Sequence, residues 1–219
     1  MSLYIGENKM NLHIGETKVK LNALNWDYII SDGKLVLANP NLYLFSSGTQ
    51  YINTTFLYKT TSSIEICSSS FNDGSLFGFY TENGQVAFAA ADNIMYYRIY
   101  AGVGTSVGSS GTKRIYKLKS NIGYIDGVKV VTGGTAVDSK LTTYLFARNI
   151  NNSPQVHGYG KINWCKIYDN DAIVHNFVPV PTGLQIGDYT VPSNGMWDIV
   201  TQQFFGNSGT GKFSYGRDE

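Results

Sequence analysis

Few side chains in this chain sit at spacings that catalysis would need. Two carboxylates that alternate along one strand point into the same cleft, where one can act as nucleophile and the other as acid. Glu65 has no acidic neighbour on its run, Ser63-Ile64-Glu65-Ile66-Cys67. Asp169 and Asp171 flank Asn170, a composition that reads as a turn in which short side chains cap the backbone. Gly104-Thr105-Ser106-Val107-Gly108 matches the Gly-x-Ser-x-Gly of a nucleophile elbow, but an elbow needs a strand before it and a helix after it. Here the motif lies in the Gly/Ser-rich run 101–111 between β segments and reads as a loop. That run also lacks the Gly-Lys-Ser/Thr ending of a phosphate-binding loop. His13, His157 and His175 lie far apart and have no metal-ligand spacing. The expectation is a protein that is not an enzyme.

Binding chemistry is better represented. A sugar presents an apolar ring face that suits aromatic side chains, and hydroxyls that suit amides and carboxylates. The candidates of those types on expected loops are Asp92, Asn93, Tyr96 and Tyr97, with Asn151, His157 and Tyr159. Met95-Tyr96-Tyr97-Arg98 is the densest aromatic-polar cluster, although a half-buried strand would use either Tyr in its core. Tyr- and Asn-rich loops equally suit an adaptable protein-binding surface.

The elements that must hold these residues are strands. The chain has 219 residues, enough to bury a core without staples, and its 24 glycines and 16 tyrosines suit strands joined by tight turns. The formal net charge of +1, without a Lys/Arg block, argues against nucleic acid as a partner. No run is long and apolar enough to span a membrane, and residues 1–20 show no apolar core of a signal peptide. Synthesis in a bacterial cytoplasm is therefore expected. Cys67 and Cys165 fall on expected strands and read as buried free thiols. Asn83-Gly84 and Asp126-Gly127 each separate two β-rich runs and read as hairpin tips, because both residue types tolerate the positive φ of a type I′ turn. No convincing amphipathic helix appears, and many short strands at regular spacing point to a sandwich or barrel.

The first 22 residues repeat. Leu3-Tyr4-Ile5-Gly6-Glu7-Asn8-Lys9-Met10 returns nine residues later as Leu12-His13-Ile14-Gly15-Glu16-Thr17-Lys18-Val19. Each copy reads as strand, Gly-led turn, strand, and two such units cannot bury a core alone. Either the repeat is an attachment or oligomerisation segment, with Ile5, Ile14 and Val19 as its apolar positions, or it is a hairpin that adds an edge to the main sandwich.

The later strands come in a recognisable order: the run 63–67, Phe77-Gly78-Phe79-Tyr80, a basic run 113–119, Tyr124-Ile125-Asp126-Gly127-Val128, then Tyr144-Leu145-Phe146-Ala147-Arg148-Asn149 and Lys161-Ile162-Asn163-Trp164-Cys165-Lys166-Ile167-Tyr168-Asp169. On these residues the chain resembles the laminin-G-like, pentraxin-like branch of the concanavalin A-like lectin/glucanase superfamily, a resemblance that covers roughly residues 51–180. The stretch from Trp197-Asp198-Ile199-Val200 through Gly211-Lys212-Phe213 resembles the endings of phage and prophage tail-region proteins of gut bacteria. The resemblance implies a two-sheet antiparallel jelly roll at 23–180, with the repeat (1–22) before it and a β/turn extension (181–219) packed on it. It implies a virion surface protein, of tail, fibre or capsid decoration, that contacts bacterial surface polysaccharide and other virion proteins. A homo-oligomer is expected, a trimer by analogy with phage fibres. Hydrolases of the superfamily use Glu-x-Asp-x-x-Glu, from which this sequence departs. Some laminin-G-like domains hold Ca²⁺ at the sandwich rim, and Asn72 and Asp73 are oxygen donors of the needed type. The alternatives are a purely structural virion component and, more remotely, a glycoside hydrolase.

Overall fold

The computed structural model describes residues 3–6, 9–14, 17–22, 27–81, 84–91, 94–99, 104–109, 112–136 and 138–219, with side chains at 27–80, 86–89, 97, 112–136 and 138–219. The protein is all-β, and no helix occurs among the described residues. In chain order the strands are β1 (Leu3–Gly6), β2 (Lys9–Ile14), β3 (Thr17–Asn22), β4 (Tyr28–Ser31), β5 (Lys34–Ala38), β6 (Leu42–Ser47), β7 (Ile52–Leu57), β8 (Ser62–Ser68) and β9 (Ser70–Thr81). There follow β10 (Gly84–Ala91), β11 (Ile94–Ile99), β12 (Gly104–Ser109), β13 (Arg114–Lys119), β14 (Ile122–Ile125), β15 (Val128–Thr132), β16 (Thr142–Leu145), β17 (Arg148–Ile150), β18 (Ser153–Gln155) and β19 (Tyr159–Ile162). The last are β20 (Trp164–Asp169), β21 (Ala172–Val180), β22 (Gln185–Ile186), β23 (Tyr189–Thr190), β24 (Gly195–Asp198), β25 (Gln203–Phe205) and β26 (Ser214–Arg217).

Two large sheets form the body. One runs β12-β11-β10-β9-β19-β6-β26, with β7, β16, β17 and β18 joined to it around β9. The other runs β15-β14-β13-β8-β20-β21-β24-β25. Their inner faces supply one apolar core: Phe77, Phe79, Phe88 and Leu145 from the first, and Ile64, Ile66, Leu118, Ile167 and Phe177 from the second. Alternation explains the selection. In β8, Ile64 and Ile66 are fully buried while Glu65 between them is turned outward. The rings of Phe88 and Tyr116 meet across the two sheets at 6.3 Å. A smaller core of Leu35, Leu42, Val180, Ile186, Val191 and Trp197 seats the β4–β5 hairpin.

Turn chemistry sets the registers. Ile125 pairs with Val128 around Asp126 (φ 49°) and Gly127 (φ 80°), the two positive angles of a type I′ turn. The same geometry recurs at Asp32-Gly33, Asn151-Asn152 and Asn170-Asp171. At the other expected tip, Thr81 pairs with Gly84, and residues 82–83 lie outside the described residues.

Four expectations change. The two copies of the repeat do not each form their own strand pair. The end of the first and the start of the second fuse into β2, giving a three-strand meander in which Gly6 pairs with Lys9 but Ile14 pairs with Thr17. A nine-residue sequence repeat thus meets turns eight residues apart, and the copies are not structurally equivalent. The Gly/Ser-rich run is not simply a loop, because β12 continues the first sheet through Thr105 and Ser106. Asn72 and Asp73 lie within the long strand β9, at a bulge opposite β19, rather than in a loop. The C-terminal stretch is not an appendage: β24 and β25 complete one large sheet and β26 the edge of the other.

Candidate functional site

The expected sugar-binding residues do not form one site. Asp92 and Asn93 lie outside the described residues, and Tyr96 is described only as a backbone position in β11, paired with Ala89. Tyr97 is a correction. Its side chain is 1% exposed, its ring sits 4.7 Å from Phe88, and its hydroxyl donates toward the carbonyls of Lys117 and Tyr124 on the opposite sheet. Burial raises its phenol well above the usual range, so Tyr97 is a core residue closed to a sugar. Asn151 is an exposed turn residue at φ 52°. Tyr159 is 42% exposed and packs edge-on to Phe45 at 5.2 Å.

Among the described residues expected to bind sugar, His157 lies in a cleft. The cleft has a volume of about 320 Å³ and is lined by Thr49, Tyr51, Pro154, His157, Ser208, Gly209 and Thr210. Tyr51 is held between two rings, tilted against Tyr144 at 4.8 Å and edge-on to His157 at 5.9 Å. The hydroxyl-bearing Thr49, Ser208 and Thr210 are exposed at its wall. The His157 Nδ1 is buried and has no hydrogen-bond partner among the described residues.

This wall is fixed by backbone bonds between distant segments. Ser208 N donates to Tyr51 O (2.9 Å) and Thr210 N to Thr49 O (3.2 Å). The Asn207 side chain accepts from Tyr51 N (3.2 Å) and Gly209 N (2.8 Å) and donates to the carbonyls of Thr210 and Gly211. Gly209 permits the approach: a Cβ there would lie 2.3 Å from the Thr49 carbonyl oxygen. On the opposite wall, Ser75 N bonds Val156 O and Gly158 N bonds Phe146 O, which anchors the segment that carries His157 to the sheet. Among the described residues no Asp or Glu lines the cleft.

The carboxylates considered for hydrolysis are engaged elsewhere. Glu65 meets Lys117 Nζ at 2.8 Å and the Tyr168 hydroxyl at 2.9 Å. Asp169 accepts from Thr61 (2.6 Å) and Lys59 (3.0 Å), which hold its carboxyl below the usual range. Asp171 is likewise lowered by Lys119 at 2.7 Å. The Asp73 carboxylate accepts from the next residue's own amide, Gly74 N, at 2.7 Å. Among the described residues no group of three or more His, Cys, Asp or Glu is arranged to hold a metal ion.

His175 does have a carboxylate partner. Its Nδ1 lies 2.7 Å from Oδ2 of Asp198, which is fully buried and also accepts from Asn176 N, Val200 N and the Thr201 hydroxyl. Burial raises the Asp198 carboxyl, but these four bonds outweigh it and the net shift is downward. The carboxylate therefore carries no proton to give, and the shared proton belongs to the ring nitrogen. The ring is stacked on Phe177 at 5.3 Å and set edge-on to Phe56, which makes the pair a structural clasp.

Both cysteines are free and buried. Cys165 stands opposite Ile66, whereas Cys67 stands opposite Trp164, so the two thiols lie on opposite faces of adjacent strands. Tyr51 and residues 208–210 escaped the sequence reading. Tyr51 opens what reads as an ordinary strand, and nothing local signals that a segment about 157 positions away closes over it.

No known protein family matches this chain, and no match was found among curated proteins.

Proposed function

We propose that this protein is a lectin-like module of a virion surface, folded as a jelly roll, which binds host cell-surface glycan in the cleft at Tyr51. The observation that carries the reading is the cleft's composition. An aromatic ring pinned between two others, beside three exposed hydroxyl side chains and backbone amides, offers an apolar face and hydrogen bonds to one sugar ring. Because the walls are locked by backbone bonds, little ordering cost opposes binding. The absence of carboxylates from the lining favours holding a glycan over cleaving it. The virion setting rests on the resemblance of residues 51–180 and 197–213.

The test is binding of labelled protein to candidate host bacteria, with and without chemical removal of their surface polysaccharide. Binding that disappears on stripping, and in both Tyr51→Ala and the cleft-filling Ser208→Trp, supports the reading. Binding that survives stripping, or that both variants retain, overturns it. Ser208 is exposed, so its replacement tests the cleft without disturbing the core.

A second reading is favoured by one specific feature. Among the described residues the three N-terminal strands pair with each other and with neither large sheet. Register sets Leu3, Leu12 and Val19 at one level and Ile5, Met10 and Leu21 at another, and Ile14 is paired with Thr17. On this reading the meander is the segment that joins the module to other virion proteins or to further copies of itself. Removal of residues 1–22 should then abolish incorporation into particles while glycan binding is retained.

A further inference from the structure

A second cavity shares no lining residue with the cleft at Tyr51. It has a volume of about 270 Å³, between the β4–β5 hairpin and the outer face of β20 and β21. That is a little below the roughly 300–1,000 Å³ typical of drug-sized ligands, and so suits a single ring. Trp164 and Lys166 alternate along β20 and therefore share its outer face, and Asn176 is the direct cross-strand partner of Lys166. Val178 and Ile199 add apolar wall.

The charge at this cavity is unbalanced. Among the described residues Lys166 is its only cationic lining residue, and no Asp or Glu lines it. Among the described residues Lys166 makes no ion pair; its Nζ rests 4.9 Å from the Trp164 ring centroid. Its other cross-strand neighbour, Glu65, is committed to Lys117 and Tyr168. A second observation is independent of this. Asn163, also in the lining, is 1% exposed, and both of its donors are used, on Leu42 O (3.1 Å) and Asp218 Oδ2 (2.8 Å). Its Oδ1 is buried without a partner, a condition few native carbonyl acceptors keep.

The cavity is also built in advance of any ligand. Asn41 N bonds Asn39 Oδ1 (3.0 Å), and Lys113 Nζ reaches both Pro40 O (3.1 Å) and Asn41 Oδ1 (2.8 Å). The Gln202 side chain bonds both Leu35 N (3.0 Å) and Leu35 O (2.8 Å), which fixes the hairpin wall.

From this set we propose that the cavity binds a uronic-acid unit. The carboxylate pairs with Lys166, the C–H face of the ring rests on Trp164 and Val178, and hydroxyls meet the Asn176 amide on the same face as Lys166. An aliphatic acid would use the wall and the cation but leave the amides unanswered, and a neutral sugar would leave the cation unanswered.

The test is an NMR titration of the full chain with methyl β-D-glucuronide and with methyl β-D-glucoside. The glucuronide should bind at least tenfold more tightly, and less tightly as salt is raised. Lys166→Met, which keeps the apolar stem, should abolish that preference, Trp164→Ala should abolish binding, and Tyr51→Ala should leave it intact. Equal affinity for the two glycosides, no binding of either, or a preference unchanged in Lys166→Met would overturn the proposal. A preference lost in Tyr51→Ala but kept in Lys166→Met would place the acid in the other cleft, which refutes this site and leaves the proposed glycan function standing.

Discussion

Removal of the Asp198 carboxylate should be among the most costly single changes in this protein that leave it folded. The side chain is fully buried and accepts four hydrogen bonds, from His175 Nδ1 (2.7 Å), Asn176 N (2.8 Å), Val200 N (3.0 Å) and Thr201 Oγ1 (2.7 Å). A hydrogen bond to a charged group contributes about 1.5–3 kcal/mol, but the four do not add, because water can reach some of the abandoned donors. The appropriate comparison is loss of one partner from a buried charged set, about 3–5 kcal/mol, and that is the expected cost of Asp198→Ala. Asp198→Asn keeps one carbonyl oxygen for the two backbone amides and loses the other acceptor, so about 1.5–3 kcal/mol is expected. At about 2–4 °C per kcal/mol for a chain of this size, Asp198→Ala should melt roughly 6–20 °C lower.

Acid should narrow the difference. The net pKa shift of Asp198 is downward, so its contribution is complete above the unfolded value of about 3.9 and drains as pH falls through the carboxylate range. Urea unfolding of wild type, Asp198→Asn and Asp198→Ala at neutral pH and near pH 3 measures this directly, with fluorescence of the neighbouring buried Trp197 as probe. A neutral-pH loss below about 1 kcal/mol in Asp198→Ala, or a loss that does not shrink in acid, would refute the reasoning. The clasp also bears on binding, because the turn after Asp198 carries Ile199 into the second cavity and Gln202 onto the hairpin that walls it. Destabilised variants should therefore weaken uronate binding before they unfold globally.

Three further outcomes are expected. Gly127→Ala should cost about 1 kcal/mol, since φ is +80° but nothing lies within 4 Å of the new Cβ, whereas Gly74→Ala should cost several times more, because its Cβ would fall 1.9 Å from the His157 carbonyl oxygen; thermal melts of the pair check both. Native protein at pH 7.5 should react with neither equivalent of a thiol reagent, since burial pushes Cys67 to about 11 and Cys165 well above the usual thiol range, and both should react once urea unfolds the chain. Calcium should not raise the melting temperature, because the Asp73 carboxylate caps its own strand at Gly74 N; a rise of several degrees that a chelator reverses would reinstate Asn72 and Asp73 as ligands.

The fold was legible wherever one local rule acts alone. Period-two alternation marks Ile64 and Ile66 as inward and Glu65 as outward, and the structure agrees. Asp126-Gly127 names its turn because few residue pairs tolerate two positive φ angles. The same requirement is met at Asn151-Asn152 and Asn170-Asp171, which a search for glycine alone passes over. The errors fall where alternation is ambiguous. Tyr96 and Tyr97 are equal candidates by type, and only the facing sheet, which supplies carbonyls to the Tyr97 hydroxyl, decides that Tyr97 belongs to the core. Asn72-Asp73-Gly74 has the composition of a turn, but β19 pairs across it and a bulge absorbs the extra residue.

The binding surfaces were hidden for a different reason. A sugar cleft has no spacing signature, because its parts are fixed by tertiary bonds rather than by one strand's period. Tyr51 becomes a cleft wall only because Ser208 N and Thr210 N bond Tyr51 O and Thr49 O across the chain. Lys166 carries information of the same kind. In the sequence it is one of two lysines in a Lys-Ile-x-x-x-Lys-Ile-Tyr run, and the first of them, Lys161, is paired to Asp218 at 3.0 Å and stacked on Tyr43 at 4.0 Å. Lys166 has the indole and the cavity instead. Two lysines of one motif thus carry different chemistry: the end of β26 brings Asp218 to Lys161, whereas the carboxylate that β8 sets across from Lys166, Glu65, is taken by Lys117 and Tyr168. Neutralisation should therefore act unequally on the pair. Lys161→Met should destabilise the fold by leaving Asp218 without its cation, whereas Lys166→Met should leave the melting temperature within about 2 °C and abolish only the discrimination between glucuronide and glucoside. If Lys166→Met unfolds the protein and Lys161→Met does not, Lys166 is a structural residue and the cavity beside it is incidental.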